Sequence, residues 1–165
     1  MKNLFFLMLV AFLGFISCRN DENDVQKIDQ VMQLYIDSLG QDMLNVKLPG
    51  SYTTTSMNDV YGLTDNAPVT FSVKKDADTV SFIEYVAGAK RIRIDSTQLS
   101  KTYESKIALT LIKSINDSVK RTTNDTMTIQ YLSTPTLFEI SKVWYNDVLQ
   151  FNKVEGQPNV IKISK

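Results

Sequence analysis

The amino-acid sequence predicts an all-β fold, an antiparallel sandwich or barrel of about eight short strands. Three features carry this expectation. Apolar side chains alternate with polar ones along short runs, the period of a half-buried strand. Those runs are rich in Val, Ile, Thr, Tyr and Phe, whose branched or flat side chains suit a pleated surface. Between them stand Asn-Asp, Pro and Gly groupings, which reverse a chain.

The first residues are read apart from the fold. Lys2 supplies a positive start, an unbroken apolar run extends from Leu4 to Ile16, and Ser17-Cys18 closes it, the layout of an export signal. The run falls short of the roughly 20 residues that a membrane-spanning helix requires. Phe-Ile-Ser-Cys at 15–18 resembles the lipobox of bacterial lipoproteins, with Phe15 where Leu is usual. The resemblance implies cleavage after Ser17 and a membrane anchor of two or three lipid chains on Cys18, since one chain alone holds a protein only marginally. Cys18 is the chain's one cysteine, so no internal disulfide is expected. Arg19 to Asp24 carries no apolar side chain and cannot offset the entropy of folding. It resembles the acidic segment that sends many Bacteroidota lipoproteins to the outer face of the outer membrane, and a plain solvated spacer has the same composition. The expected organisation is a signal peptide at 1–17, a lipidated N terminus and tether at 18–27, and a single β domain at 28–165.

Within that domain, Val25 to Asp37 fits both a helical face and a strand, and a strand is expected for its second half, where Met32, Leu34 and Ile36 alternate. Asp37 to Asp42 has turn chemistry around Gly40, and apolar character resumes from Met43 to Leu48 before Pro49-Gly50. Residues 51–68 are polar and read as a loop with at most short strands, a candidate functional surface. Strands then follow around Val69 to Val73, Val80 to Val86, and Ile92 with Ile94. Five more are expected at Ile107 to Ile112, Met127 to Tyr131, Phe138 to Trp144, Val148 to Val154 and Val160 to Ile163. Asn146-Asp147 suits a two-residue hairpin turn. An early Asp-x-x-Gly-x-Asp turn ahead of a lone β domain resembles the small Bacteroidota lipoproteins built as one immunoglobulin-like or related sandwich.

Composition excludes several chemistries. The chain contains no His, which removes the usual neutral general base and the commonest metal ligand. Serine and cysteine triads are excluded with it, tetrahedral zinc lacks ligands, and the glycines are too scattered for a phosphate-binding loop. Asp37 and Asp42 flank Gly40 without the spacing of a calcium-binding EF-hand loop, so a capped turn without metal is expected. Once Lys2 is removed, 17 of the 18 basic side chains face 18 acidic ones. No field then draws the domain to nucleic acid.

For ligand contact, Tyr52 and Tyr61 in the polar stretch are the candidates, whereas Trp144 shares parity with Phe138 and Ile140 and is assigned to the core. Lys90, Arg91 and Arg93 are assigned to the wet face of a strand. Five Asp-Ser or Asp-Thr pairs, each followed by a small or apolar residue, resemble the O-glycosylation sequon of Bacteroidota. Their acceptors would be Ser38, Thr79, Ser96, Ser118 and Thr126, and turn exits into strands give the same triplets. These features lead to an expectation of a non-catalytic, lipid-anchored envelope protein without cofactor, displaying loops to a glycan or to another envelope protein. Two alternatives stay open: a structural part of an envelope or fimbrial assembly, and a carboxylate-dependent glycan hydrolase using residues such as Glu84, Glu104 and Glu139.

Overall fold

The computed structural model describes residues 25–86, 88–116 and 118–165. The expected signal peptide, Cys18 and most of the expected tether lie outside the described residues. Twelve strands and no helix make up the remainder: β1 (Lys27–Asp29), β2 (Met32–Ser38), β3 (Gln41–Asp42), β4 (Tyr52–Asp59), β5 (Ser72–Lys75), β6 (Ser81–Tyr85), β7 (Ile92–Ser96), β8 (Lys101–Ser114), β9 (Lys120–Ser133), β10 (Leu137–Tyr145), β11 (Val148–Asn152) and β12 (Asn159–Ser164). The first of them begins inside the expected tether. Gln26 already donates its side-chain amide to the Thr134 carbonyl at 2.6 Å.

Two sheets pack face to face, as the all-β sandwich expectation has it, and the larger curls into a half-barrel. Seven strands form that sheet in the order β1-β10-β9-β8-β4, with β11 continuing the edge beside β10 and β7 the edge beside β8. The five-stranded sheet runs β12-β2-β6-β5, with β3 beside β2. The pairing is not antiparallel throughout: β1 lies parallel to β10 and β12 parallel to β2. A parallel pair needs a long connection, and here most of the domain intervenes between the partners.

Alternation places the core as expected. Met32, Leu34 and Ile36 of β2, Ile83 and Tyr85 of β6, and Ile161 and Ile163 of β12 face Ile107, Leu109 and Leu111 of β8, Met127, Ile129 and Tyr131 of β9, and Ile140, Val143 and Tyr145 of β10. Each fully buried aliphatic side chain contributes about 1.5–3 kcal/mol. The β8–β9 hairpin is the spine of the larger sheet, paired without interruption from Lys101 with Ser133 to Ser114 with Lys120.

Two expectations about the middle of the chain are corrected. The polar stretch at 51–68 holds more than short strands, because its first half is the eight-residue strand β4 and only the second half is loop. Thr-rich and therefore β-branched, this strand edges the sheet beside β8, burying Tyr52 and Met57 on one side. Arg91 is not on a wet face either. Its guanidinium lies 4.6 Å from the Tyr131 ring centroid and 4.8 Å from that of Phe138, and Nη2 donates to Gln30 Oε1 at 2.7 Å.

The two long sides of the sandwich are finished differently. Along one, Lys153 donates to Asp29 Oδ2 at 2.6 Å and to Asn159 Oδ1 at 2.9 Å, while Asn159 donates to Asp29 Oδ1 and to the Val31 carbonyl, both at 2.9 Å. This clamp ties β1, β12 and the segment after β11. Burial pushes the Asp29 carboxyl up, but the bonds from Lys153 and Asn159 outweigh it and hold the group below its ordinary range. Along the other side, no ladder joins β4 to β5 among the described residues, and a groove of about 390 Å³ separates them.

Candidate functional site

The outward face of the seven-stranded sheet carries the arrangement best suited to a ligand. β8, β9 and β10 lie side by side, so their solvent-facing residues form rows across the strands. One row is Glu104, Gln130 and Lys142, and the next is Lys106, Thr128 and Trp144. Glu104, Lys106, Thr128 and Trp144, together with Asp147, line a recess of about 350 Å³.

Trp144 is half-buried on this face and not in the core. A β-bulge between Ile140 and Lys142 inserts one residue into β10. The inward set therefore changes from Phe138 and Ile140 to Val143 and Tyr145, and Trp144 turns to solvent. Asp147 is placed by the turn that follows. Asn146 and Asp147 have φ of 48° and 63°, the pair of positive values that a two-residue type I′ hairpin requires. The turn is pinned to β9, with Asn146 N–H donating to the Thr126 carbonyl and Thr126 N–H to Asn146 Oδ1, both at 2.8 Å.

Tyr61 reaches the same face from the loop after β4 and donates its hydroxyl to Glu104 Oε1 at 2.7 Å. This bond, with burial and the carboxylate's charge adding to it, pushes the phenol up to about 12. It therefore stays a donor at any physiological pH. The loop is held by the buried carboxylate of Asp59, whose Oδ1 accepts from Tyr61 N–H at 2.9 Å and Oδ2 from Lys90 N–H at 2.6 Å. Val60 N–H also donates to the Lys106 carbonyl at 2.8 Å. Aromatic, carboxylate and ammonium groups thus sit on a rigid surface before any ligand arrives.

The other site expectations fare variously. Tyr52 is 5% exposed and belongs to the core, so it is not a surface contact. It opens β4 with its ring inward, and burial raises its hydroxyl, with the charge of Asp125 adding to the effect. Of the expected glycosylation acceptors, Ser38 closes β2 and donates to the Lys165 carbonyl at 2.5 Å. Thr79 is exposed in the β5–β6 turn, Ser96 ends β7, and Ser118 lies in the β8–β9 turn. Thr126 is half-buried within β9, between β8 and β10. They are scattered over the molecule and do not gather into one site.

Nor do the considered carboxylates converge as a group. Glu84 lies on the smaller sheet and accepts from Lys74 at 2.6 Å, whereas Glu104 and Glu139 belong to the larger. Asp37 to Asp42 forms the turn that joins β2 to β3, and Asp42 caps the segment that follows it: Oδ1 accepts from Leu44 and Asn45 N–H, and Oδ2 from Ser81 N–H. Among the described residues no three acidic side chains gather as metal ligands do.

Sequence reasoning missed Lys106, Thr128 and Asp147 and misplaced Trp144. One signal was available: buried apolar residues stand three apart at Ile140 and Val143, where an unbroken strand would space them by two. No protein-family model, no curated protein and no solved structure matches this chain.

Proposed function

We propose that this chain is a non-catalytic carbohydrate-binding module, held to the cell envelope by lipid on Cys18, whose ligand docks on the face around Trp144. The observation that carries the reading is the recess that sets the half-buried indole of Trp144 beside Glu104, Lys106, Thr128 and Asp147. A sugar ring offers an apolar C–H face for an aromatic side chain and a rim of hydroxyls that both donate and accept. The recess supplies carboxylate acceptors, an ammonium donor and a hydroxyl. Its volume lies near the lower end of the range for small-ligand pockets, about 300–1,000 Å³, which suits a short oligosaccharide. A flat protein partner would favour a more apolar centre than this one.

The hydrolase alternative is disfavoured by the same geometry. A glycosidase works through a pair of carboxyls set across the scissile bond, whereas Glu104 is already engaged by the Tyr61 hydroxyl at 2.7 Å and Glu84 stands on the other sheet. Glycan-array binding followed by titration calorimetry with the best hits tests the proposal. Trp144→Ala is expected to abolish binding while the unfolding transition stays within about 1 kcal/mol of the parent. Arrays without a hit would refute the reading, and release of shorter sugars, lost in Glu104→Gln or Asp147→Asn, would replace it with hydrolysis. Proteinase treatment of intact cells tests the address: digestion supports display on the outer surface, and protection places the protein in the periplasm, where envelope assembly becomes the better reading.

A further inference from the structure

The open side of the sandwich, which shares no lining residue with the Trp144 recess, carries a second binding feature. Of the strands there, β5 pairs only with β6, and its outer edge has no ladder partner among the described residues. Backbone N–H and C=O groups on such an edge are a template for one more strand. Val73 stands opposite Ile83 and Lys75 opposite Ser81, so both share the core-facing side of β5, whereas Lys74 stands opposite Phe82 on the other side.

The groove beside this edge has an apolar floor of Leu44, Val46, Phe71 and Val73, and Val73 is half exposed. Its charged lining residues are Lys47, Lys74 and Lys75, without a single acid. Lys74 is already engaged by Glu84 at 2.6 Å. Lys47 and Lys75 form no ion pair among the described residues. The groove therefore joins three properties: a free strand edge, an apolar floor, and two uncompensated cations over that floor.

We propose that this groove binds an extended acidic and apolar segment of a partner protein, which adds to the free edge of β5 as a sixth strand of that sheet. An apolar side chain of the segment fills the floor beside Val73, and a carboxylate two residues away meets Lys75 and Lys47. A second copy of this chain is the wrong occupant, because antiparallel β5–β5 pairing would line the seam with the lysines of both copies, and the groove holds no acid to compensate them.

Edge lysines also serve to prevent association, and the experiment separates the two roles. The probes are two fluorescent ten-residue peptides, one repeating Val-Thr-Glu-Thr and one repeating Val-Thr-Lys-Thr, so that apolar and charged side chains share one strand face. Anisotropy titration of the purified protein is expected to show the Glu peptide binding at least about tenfold more tightly than the Lys peptide. Lys47→Glu with Lys75→Glu should invert that order. Both side chains are exposed, so the double variant is expected to unfold at the parent's urea midpoint. Hydrogen exchange at the amides of Ser72 to Lys75 should slow by about tenfold or more in the complex. Equal or absent binding of the two peptides overturns the proposal, as does a preference that the double variant leaves unchanged. So does binding without protection of β5, or a concentration-dependent dimer lost in Val73→Asp.

Discussion

Asp125 offers the sharpest test of how the site-bearing end of the larger sheet is held. The residue is 5% exposed, in β9 beneath the Asn146-Asp147 turn. Its Oδ2 accepts from the Tyr145 hydroxyl at 2.8 Å and pairs with the Lys165 ammonium, while Oδ1 accepts from the Asn146 amide at 2.8 Å. Asp125→Ala removes the acceptor of all three donors. The Lys165 side chain, about one-fifth exposed, can return to water, but the Tyr145 hydroxyl, in a residue 4% exposed, is left without a partner. An orphaned buried hydroxyl costs about 1–3 kcal/mol, and a hydrogen bond to a charged group contributes about 1.5–3 kcal/mol. The expected loss is therefore about 3–5 kcal/mol, the range for breaking a buried pair. Urea unfolding followed by the fluorescence of Trp144, the chain's one tryptophan, measures it directly. Tyr145→Phe alone should cost about 1 kcal/mol but almost nothing in the Asp125→Ala background, because there it removes the orphan. The pH dependence has a definite sign. Burial raises the Asp125 carboxyl, and the bonds from Asn146, Lys165 and Tyr145 outweigh burial, so its folded pKa lies below the unfolded one. The stability it contributes is full at neutral pH and is lost as pH falls below the unfolded value of about 3.9 towards the folded one. Asp125→Ala should flatten that part of the acid profile. A loss under 1 kcal/mol, additive double-variant energies, or an unchanged acid slope would refute the account.

Three further outcomes are expected. Leu39 is fully exposed with a φ of 51° at the β2–β3 turn, where Asn suits the left-handed backbone better. Leu39→Asn should stabilise by about 1 kcal/mol and raise Tm by about 3 °C in a scanning calorimeter. A Cβ added at Gly62 would stand 2.4 Å from that of Ala67 and 3.1 Å from the Asp59 carbonyl, so Gly62→Ala should cost about 1–3 kcal/mol in urea and weaken glycan binding by displacing Tyr61. Asn159→Ala, which removes the amide that bonds Asp29 and Val31, should cost about 1–3 kcal/mol and begin to unfold at higher pH than the parent in an acid titration followed by circular dichroism.

The fold was legible because burial on one face forces a period of two, and Met32, Leu34 and Ile36 or Met127, Ile129 and Tyr131 display that period without interruption. Edge strands were harder to read. All four residues of β5 are exposed, and β4 buries only Tyr52, Met57 and Asp59. A strand that packs little carries little hydrophobic pattern, and the Thr-Thr-Thr-Ser run of β4 has the polarity of a loop. Parallel pairing of β12 with β2 left no local signal at all, since it joins residues well over a hundred positions apart.

The candidate site was hidden by one inserted residue. Strand parity is a local rule, valid until a bulge resets it, and every residue beyond the bulge in β10 then exchanges faces. Counting from Phe138 and Ile140 sends Trp144 inward, whereas counting back from Tyr145, whose hydroxyl must reach the buried Asp125, sends it outward. The consequence is physical as well as diagnostic. An unbroken strand that kept Ser141, the extra residue, would turn Lys142 and Trp144 inward together. It would also bring the Tyr145 hydroxyl away from Asp125. The bulge therefore couples the recess to the buried polar cluster, and a ligand face that needs Trp144 outward is built on the same residue count that stabilises the turn carrying Asp147.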